Sequence, residues 1–315
     1  MLIRSGASHE ARAQQAHTRE EYRVGRFSLS LPATVRRAWQ EHRLLSGVHL
    51  REVEWTVSHG YKEAWNSWLQ KLAERRLPQG AREIIVEQRE LAPRCQGVLA
   101  HDSEDDGNLK TWFALLDTGT HGVWLEYTQD PHDPEQALSR LETVARSYRA
   151  LEPQAHRPPE GWFYLERGAV TLSPLGDEQV LVQLEDVPLD LRLELGSRPA
   201  VEADPDGGLM LRLQRALALG LHGEREVTLL RTGSREVAGF DGEELIIQME
   251  EAGNERLTWG WWCPGRAGDP RAPCIELTMH STGREREIKL RLWEEALESM
   301  RYLLPVSQVD LLELL

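Results

Sequence analysis

Apolar residues recur at helical spacing in four stretches. Between Tyr61 and Arg76, Trp65, Trp68, Leu69 and Leu72 share one face of an amphipathic helix that Pro78 and Gly80 terminate. Asp133-Pro134-Glu135-Gln136 predicts a helix start, with Asp as cap, Pro in the first turn and Gln placed to reach back to the cap. Leu138, Leu141, Val144, Ala145 and Tyr148 supply its buried stripe. A short Leu-rich helix follows over Gly208 to Leu219, and a closing helix over Lys289 to Leu304 turns Leu290, Trp293, Ala296, Leu297 and Met300 inward before Pro305.

Alternation marks the strands. Glu83 to Leu91 and Leu109 to Leu116 are β-rich, with the turn Gly107-Asn108 between them. Gly242 to Glu250 and Arg256 to Cys263 read as a second hairpin. Thr34 to Leu45 carries two patterns: its own residues read as a helix, whereas the internal repeat asks for a strand there.

That repeat runs the length of the chain. Gly25-Arg26-Phe27-Ser28-Leu29 is answered by Gly161-Trp162-Phe163-Tyr164-Leu165, and Arg82-Glu83-Ile84-Ile85 by Arg225-Glu226-Val227-Thr228. Gly97 is answered by Gly239, Gly107-Asn108 by Gly253-Asn254, and Thr111-Trp112 by Thr258-Trp259. Leu125-Glu126-Tyr127-Thr128 matches Ile275-Glu276-Leu277-Thr278, and a helix closes each half. The predicted fold is α+β: two tandem, similar units, each an antiparallel or mixed sheet with helices packed on one face. Three prolines between Glu152 and Glu160 place the linker near Arg157. The expected parts are a flexible segment 1–20, an N-terminal domain 21–157 and a C-terminal domain 158–315.

The charge balance narrows the partner. Asp and Glu number 51 against 37 Lys and Arg, a net charge of -14. An acidic surface repels nucleic acid and anionic membrane, and no apolar run is long enough to span a bilayer. Met1 to Arg23 is polar and mixed in charge, without the apolar core of a signal peptide. The chain is therefore expected either in the cytoplasm or as a mature form whose export signal has been removed. Of three cysteines, Cys263 and Cys274 flank a Pro/Gly-rich loop and could face each other across neighbouring strands; three free, buried thiols are the alternative.

No catalytic motif is present: there is no nucleophile elbow, phosphate-binding loop, dinucleotide fingerprint or zinc-binding helix, and no cofactor or metal is expected. The acidic run Asp102, Glu104, Asp105 and Asp106 before Gly107 begins like a calcium loop, but Phe113 stands where the bidentate Glu belongs. It reads as a solvated tip or as an acidic contact for a basic patch on a partner. Glu243 and Glu244 lie where one can pair with Arg231 or Arg235 of the preceding strand. Among eleven tryptophans, Trp259, Trp261 and Trp262 cannot all face one way along a strand, so Trp261 or Trp262 is expected outside the core as a contact. The apolar tail 307–315 also needs a surface to dock on.

Val24-Gly25-Arg26-Phe27-Ser28-Leu29-Ser30-Leu31-Pro32 and the stretch from Leu230 to Glu244 resemble the immunity proteins that neutralise type VI secretion lipase effectors, as do Trp259 and Pro273-Cys274-Ile275-Glu276-Leu277. Val24 stands where that family often has Cys. The resemblance implies a two-domain periplasmic antitoxin of bacterial competition, without enzymatic activity, that grips a cognate lipase or phospholipase between or across its domains in a 1:1 complex. Two other readings stay open: a small-molecule or lipid-binding module with an interdomain pocket, and a carboxylate-based hydrolase using Glu243 or Asp102.

Overall fold

The computed structural model describes residues 18–56, 60–102, 107–151, 161–171, 177–202, 207–219, 226–251 and 253–303. Glu104, Asp105 and Asp106, the linker 152–160 and the tail 307–315 lie outside them. The described chain divides into two compact units: a central unit, 41–178, and a split unit made of 18–40 with 179–303. This differs from the consecutive division 21–157 and 158–315, and the pairing of the short strands gives the reason.

In the central unit, β4 (Val48–Glu54), β8 (His121–Thr128), β7 (Lys110–Asp117), β6 (Cys95–His101) and β5 (Ile85–Ala92) lie side by side in that order, all antiparallel. Helix α1 (Tyr61–Ala73) follows β4 and α2 (Pro134–Ser147) follows β8. Trp65 and Leu72 of α1 pack on Val98, Ala100, Phe113 and Leu115. Trp65 stacks on Trp68 and Trp124, with ring centres 5.5 and 6.0 Å away. The opposite face of the sheet meets α2, whose Arg140 donates to the Tyr127 hydroxyl at 2.7 Å. Asp133 caps α2 as expected, its carboxylate accepting from the backbone N–H of Gln136.

The split unit repeats this plan. There β13 (Leu191–Arg198), β17 (Cys274–Thr282), β16 (Asn254–Cys263), β15 (Phe240–Glu251) and β14 (Glu226–Val237) take the same spatial order, and β12 (Gln179–Asp186) flanks β13. Helix α3 (Leu209–Ala218) follows β13 and α4 (Arg286–Ser299) follows β17. Leu209 of α3 packs with Leu245, Ile247 and Trp262 on one face. Trp293 of α4 reaches Glu244 on the other. The expected α+β arrangement of antiparallel sheets and helices is present, and both sheets carry a helix on each face. Strand residues such as Trp261 and Trp262 are apolar at successive positions, and an apolar residue on each side of a sheet needs a cover on each side. The segment read as helix or strand is strand β3 (Arg36–Leu44), within which the division between the units falls.

Each unit closes with a three-stranded sheet built from distant parts of the chain. Strand β2 (Phe27–Pro32) lies between β1 (Arg19–Val24) and β18 (Arg301–Tyr302), the segment after α4. Strand β11 (Gly168–Val170) lies between β10 (Phe163–Tyr164) and β9 (Tyr148–Ala150), the segment after α2. The hairpin that opens each sequence repeat therefore completes the unit built by the other repeat. The pairing also moves one anchor of the repeat: β2 corresponds to β11, and the register with the strand after each closing helix sets Phe27-Ser28-Leu29 against Gly168-Ala169-Val170, not against Phe163 to Leu165.

A buried carboxylate holds the hairpin in the central unit. Glu52 of β4 accepts from the Tyr148 hydroxyl at 2.5 Å and from the backbone N–H groups of Glu166 and Arg167 at 3.0 and 2.9 Å, in the turn between β10 and β11. The Tyr148 oxygen also lies 2.6 Å from His121 Nε2. Gly168 is required here, because a Cβ would fall 2.0 Å from the Tyr148 hydroxyl. In the split unit the hairpin is held by the Ser30 N–H donating to Ser299 Oγ at 2.9 Å, by the Arg19–Glu295 ion pair, and by Tyr302 between Phe27 and Phe240.

Two outcomes follow. A fragment spanning 41–178 contains its closing hairpin and should unfold cooperatively in urea, whereas 21–157 lacks β10–β11 and should give a broad, low-amplitude transition. Burial pushes the His121 pKa below its ordinary value. The unfolded chain then takes up a proton near pH about 6.5 while the folded chain does not, so stability present above that pH is lost as pH falls. Thermal unfolding followed by circular dichroism should show a midpoint that drops between pH 7.5 and 5.5, with a shallower drop in His121→Gln.

Candidate partner-binding surface

Strand β15 sends successive carboxylates to opposite faces. Glu244 faces α4, where its Oε1 accepts from Trp293 Nε1 at 2.7 Å and from the Arg235 and Arg231 guanidiniums at 3.3 and 3.5 Å. Both arginines also hold Glu294 of α4, Arg235 at 2.5 Å. Burial pushes Glu294 up, and the hydrogen bonds from Arg231 and Arg235 outweigh it and leave the carboxyl below its usual range. The Arg–Glu pairing therefore runs through Glu244, and it ties β14, β15 and α4 together. The Glu243 carboxylate lies instead against Gly208 at the start of α3, where a Cβ would come within 2.2 Å of it.

The tryptophan pair also splits between faces, as alternation requires, but neither ring is exposed. Trp261 is fully buried on the α4 side and its Nε1 donates to the Arg235 carbonyl at 3.0 Å. Trp262 is buried under α3, with the Arg212 guanidinium 4.9 Å from its ring centre. The expectation of an exposed ring here fails because α3 covers the second face. The same register separates the cysteines. Cys263 stands opposite Ile275, so Cys274, one residue earlier, projects to the other face beside Trp262. All three cysteines are buried free thiols, and no bridge joins Cys263 to Cys274.

Of the acidic tip, Asp102 is described. It is exposed, pairs with Arg75 at 3.3 Å and accepts from the Thr111 hydroxyl at 3.2 Å. This engagement places Asp102 at the root of the β6–β7 connection.

The most enzyme-like group is Glu52 with Tyr148 and His121, and its setting is structural. Burial, with Glu52 adding to it, pushes the Tyr148 hydroxyl above its ordinary value, so it stays protonated and donates to the carboxylate. Burial and then Glu90 push the Cys95 thiol up to about 12, leaving no thiolate at neutral pH. Among the described residues, no three or more His, Cys, Asp and Glu side chains are arranged to hold a metal ion.

The accessible features are of another kind. Beside α3, the split unit's sheet leaves an open groove of about 660 Å³ lined by Glu185, Arg192, Glu194, Arg256, Thr258 and His280. His280 Nδ1 lies 3.1 Å from the Thr258 hydroxyl, and burial lowers its pKa, with Arg192 acting in the same direction and Glu194 against it. Mixed charge along an open groove suits a polar protein surface better than an apolar ligand. On β3, Trp39 is the one exposed aromatic side chain among the described residues, with 47% of its surface accessible. Sequence reasoning missed it because Thr34 to Leu45 read equally as helix; treated as a strand, its Trp stands in a polar neighbourhood.

The fold is one that known proteins share. It matches the apo immunity protein TplEi of the type VI secretion system (T6SS) from Pseudomonas aeruginosa at 17% identity and a TM-score of 0.74, over 90% of this chain and 97% of that one. A chain of the Tle4–Tli4 complex matches at 15% identity and 0.76, over 91% and 98%. TplEi bound to an "L" peptide matches at 15% identity and 0.69, over 92% and 100%. No curated protein sequence matches significantly. The architecture is thus that of the T6SS immunity proteins. Residues 165–302 match the family model for the Tle cognate immunity protein 4 C-terminal domain.

Removing the carboxylate at the centre of the arginine cluster leaves the Trp293 N–H and Arg235 without their buried acceptor. Glu244→Ala should therefore lose about 3–5 kcal/mol of stability, read from the shift of the urea midpoint at unchanged slope, while Glu243→Ala should lose far less.

Proposed function

We propose that this chain is an immunity protein that binds a Tle-class lipase effector of a type VI secretion system and blocks its action, as a 1:1 complex and without chemistry of its own. The observation that carries this reading is the family match over residues 165–302 within a fold shared along nine-tenths of the chain. The solved Tle4–Tli4 complex is a relative of that kind caught with its partner. Inhibition by occlusion asks only for a rigid, complementary surface, and two sheets each locked between helices supply rigidity. The net charge of -14 favours a partner with a basic or weakly charged contact face. We place the complex in the periplasm, where an effector that attacks membrane lipids must be stopped; no helix among the described residues is long and apolar enough to cross a membrane.

The other readings draw less support. A lipid-binding module asks for an enclosed apolar pocket, and the groove on the split unit is open and lined by charges of both signs. A hydrolase using Glu243 or Asp102 would need an accessible acid beside a partner in catalysis, whereas Glu243 rests on a helix start and Asp102 is paired with Arg75.

The test is co-expression. Cells exporting the neighbouring Tle lipase to the periplasm should survive when they also export this chain, and the two proteins should elute together at 1:1 on gel filtration. Continued killing, with no complex detected, would remove the proposal.

A further inference from the structure

We infer that the two repeats are binding partners for each other: each docks its opening hairpin on the unit the other builds, and the peptide chain joining them is not needed for assembly. The inference stands apart from the immunity reading and rests on what each hairpin touches. A cut within residues 152–160 would leave β1 to β9 in one piece and β10 to β18 in the other. Each piece would then hold the closing hairpin of the other's unit and lack its own. Exchange of equivalent elements between like units is how swapped dimers close, and here both exchanges occur within one chain.

The slot in the central unit recognises backbone as well as side chains. Strand β11 pairs with β9, Gly168 opposite Ala150 and Val170 opposite Tyr148. On either side of the paired residues, the Leu151 N–H donates to the Arg167 carbonyl at 2.8 Å and the Thr171 N–H to the Ser147 carbonyl at 3.0 Å. Glu52 holds the hairpin turn through two N–H groups, and Arg167 of that turn pairs with Glu54. In the split unit, β2 pairs with β18, Ser28 opposite Arg301, and the Leu303 N–H donates to the Arg26 carbonyl at 2.7 Å. The Thr34 hydroxyl donates to Asp186 at 2.6 Å at the root of the same hairpin. Phe27, Leu29 and Leu31 of one hairpin and Phe163, Tyr164 and Val170 of the other are buried. Backbone pairing at a strand, with buried side chains for specificity, is a mode by which separate chains recognise each other. The two grips lie in different units, so when one releases, the other keeps the pieces at high effective concentration.

The experiment uses the full chain with a site-specific protease sequence in place of residues 153–158, cut after folding. The cut protein should elute as a single 1:1 species on gel filtration. Its urea midpoint should rise with protein concentration, while that of the uncut chain stays fixed. Two substitutions show whether the hairpins do the holding. Phe27→Ala removes a buried ring from β2, and Gly168→Val sets a side chain where a Cβ would fall 2.0 Å from the Tyr148 hydroxyl. With both, the uncut chain should stay folded at a lower midpoint and the cut chain should separate into its halves. If that pair prevents folding of the uncut chain, Tyr148→Phe with Ser299→Ala replaces it, removing one hydrogen bond from each grip. The cut chain should then dissociate at roughly tenfold higher protein concentration or more. Halves that part in native buffer after cutting the unsubstituted chain would overturn the inference. So would cut protein held as tightly with the substitutions as without them. Neither result bears on lipase binding by the uncut chain, which tests the immunity reading separately.

Discussion

The reciprocal placement of the two hairpins is the constraint on which the rest of the structure depends. Strands β1 and β2 close the unit made by the second repeat, and β10 and β11 close the unit made by the first. In each unit the closing helix runs on into a strand too short to stand alone, β9 with three residues and β18 with two, and the hairpin pairs with it. The hairpins supply Phe163, Tyr164, Phe27 and Leu29, all buried. In the central unit the closure is polar as well, since Glu52 gathers a hydroxyl and two backbone N–H groups. A buried carboxylate unsatisfied by even one of these would cost more than most single apolar contacts return. The carboxylate therefore selects one position of the hairpin over its neighbours, as a specificity device.

The open edges of the sheets are managed differently. Strands β14 and β5 stand at the ends of their sheets, and both are bulged: β14 between Leu229 and Arg231, β5 near Ile85 and again near Glu90. A bulge twists the edge and interrupts the row of backbone donors and acceptors that another strand would need. The arginine cluster adds to this on β14, where Arg231 and Arg235 are drawn toward Glu294 of α4. Edges interrupted in this way do not pair readily with a passing strand.

How much of this could be read from the sequence depends on distance along the chain. Helices α1, α2 and α3 and the β15–β16 hairpin were legible because cap, stripe and turn lie within a few residues of each other. The Glu244 pairing was half legible: cross-strand logic named the four residues, and only the register decided between Glu243 and Glu244. The hairpin exchange left no local mark, since β2 and β11 each pair with a segment whose place is set by folding of the whole unit. The Glu52–Tyr148 bond joins residues 96 positions apart, and no spacing rule reaches that far. Trp261 and Trp262 differ for a related reason: alternation sends them to opposite faces, but the cover on the second face comes from α3, a helix well before them in the chain.

Trp39 marks where local and global demands diverge. A strand residue that faces solvent is normally polar, and Arg37 on the same face obeys that rule while Trp39 breaks it. Natural sequences tend to violate such rules where function requires it and to satisfy them elsewhere. The same chain buries ten of its eleven tryptophans at least in part, so its fold has no difficulty placing them inside. An exposed ring held on a strand is hence a feature the fold does not need. Its cost in solubility is tolerable in a chain of net charge -14.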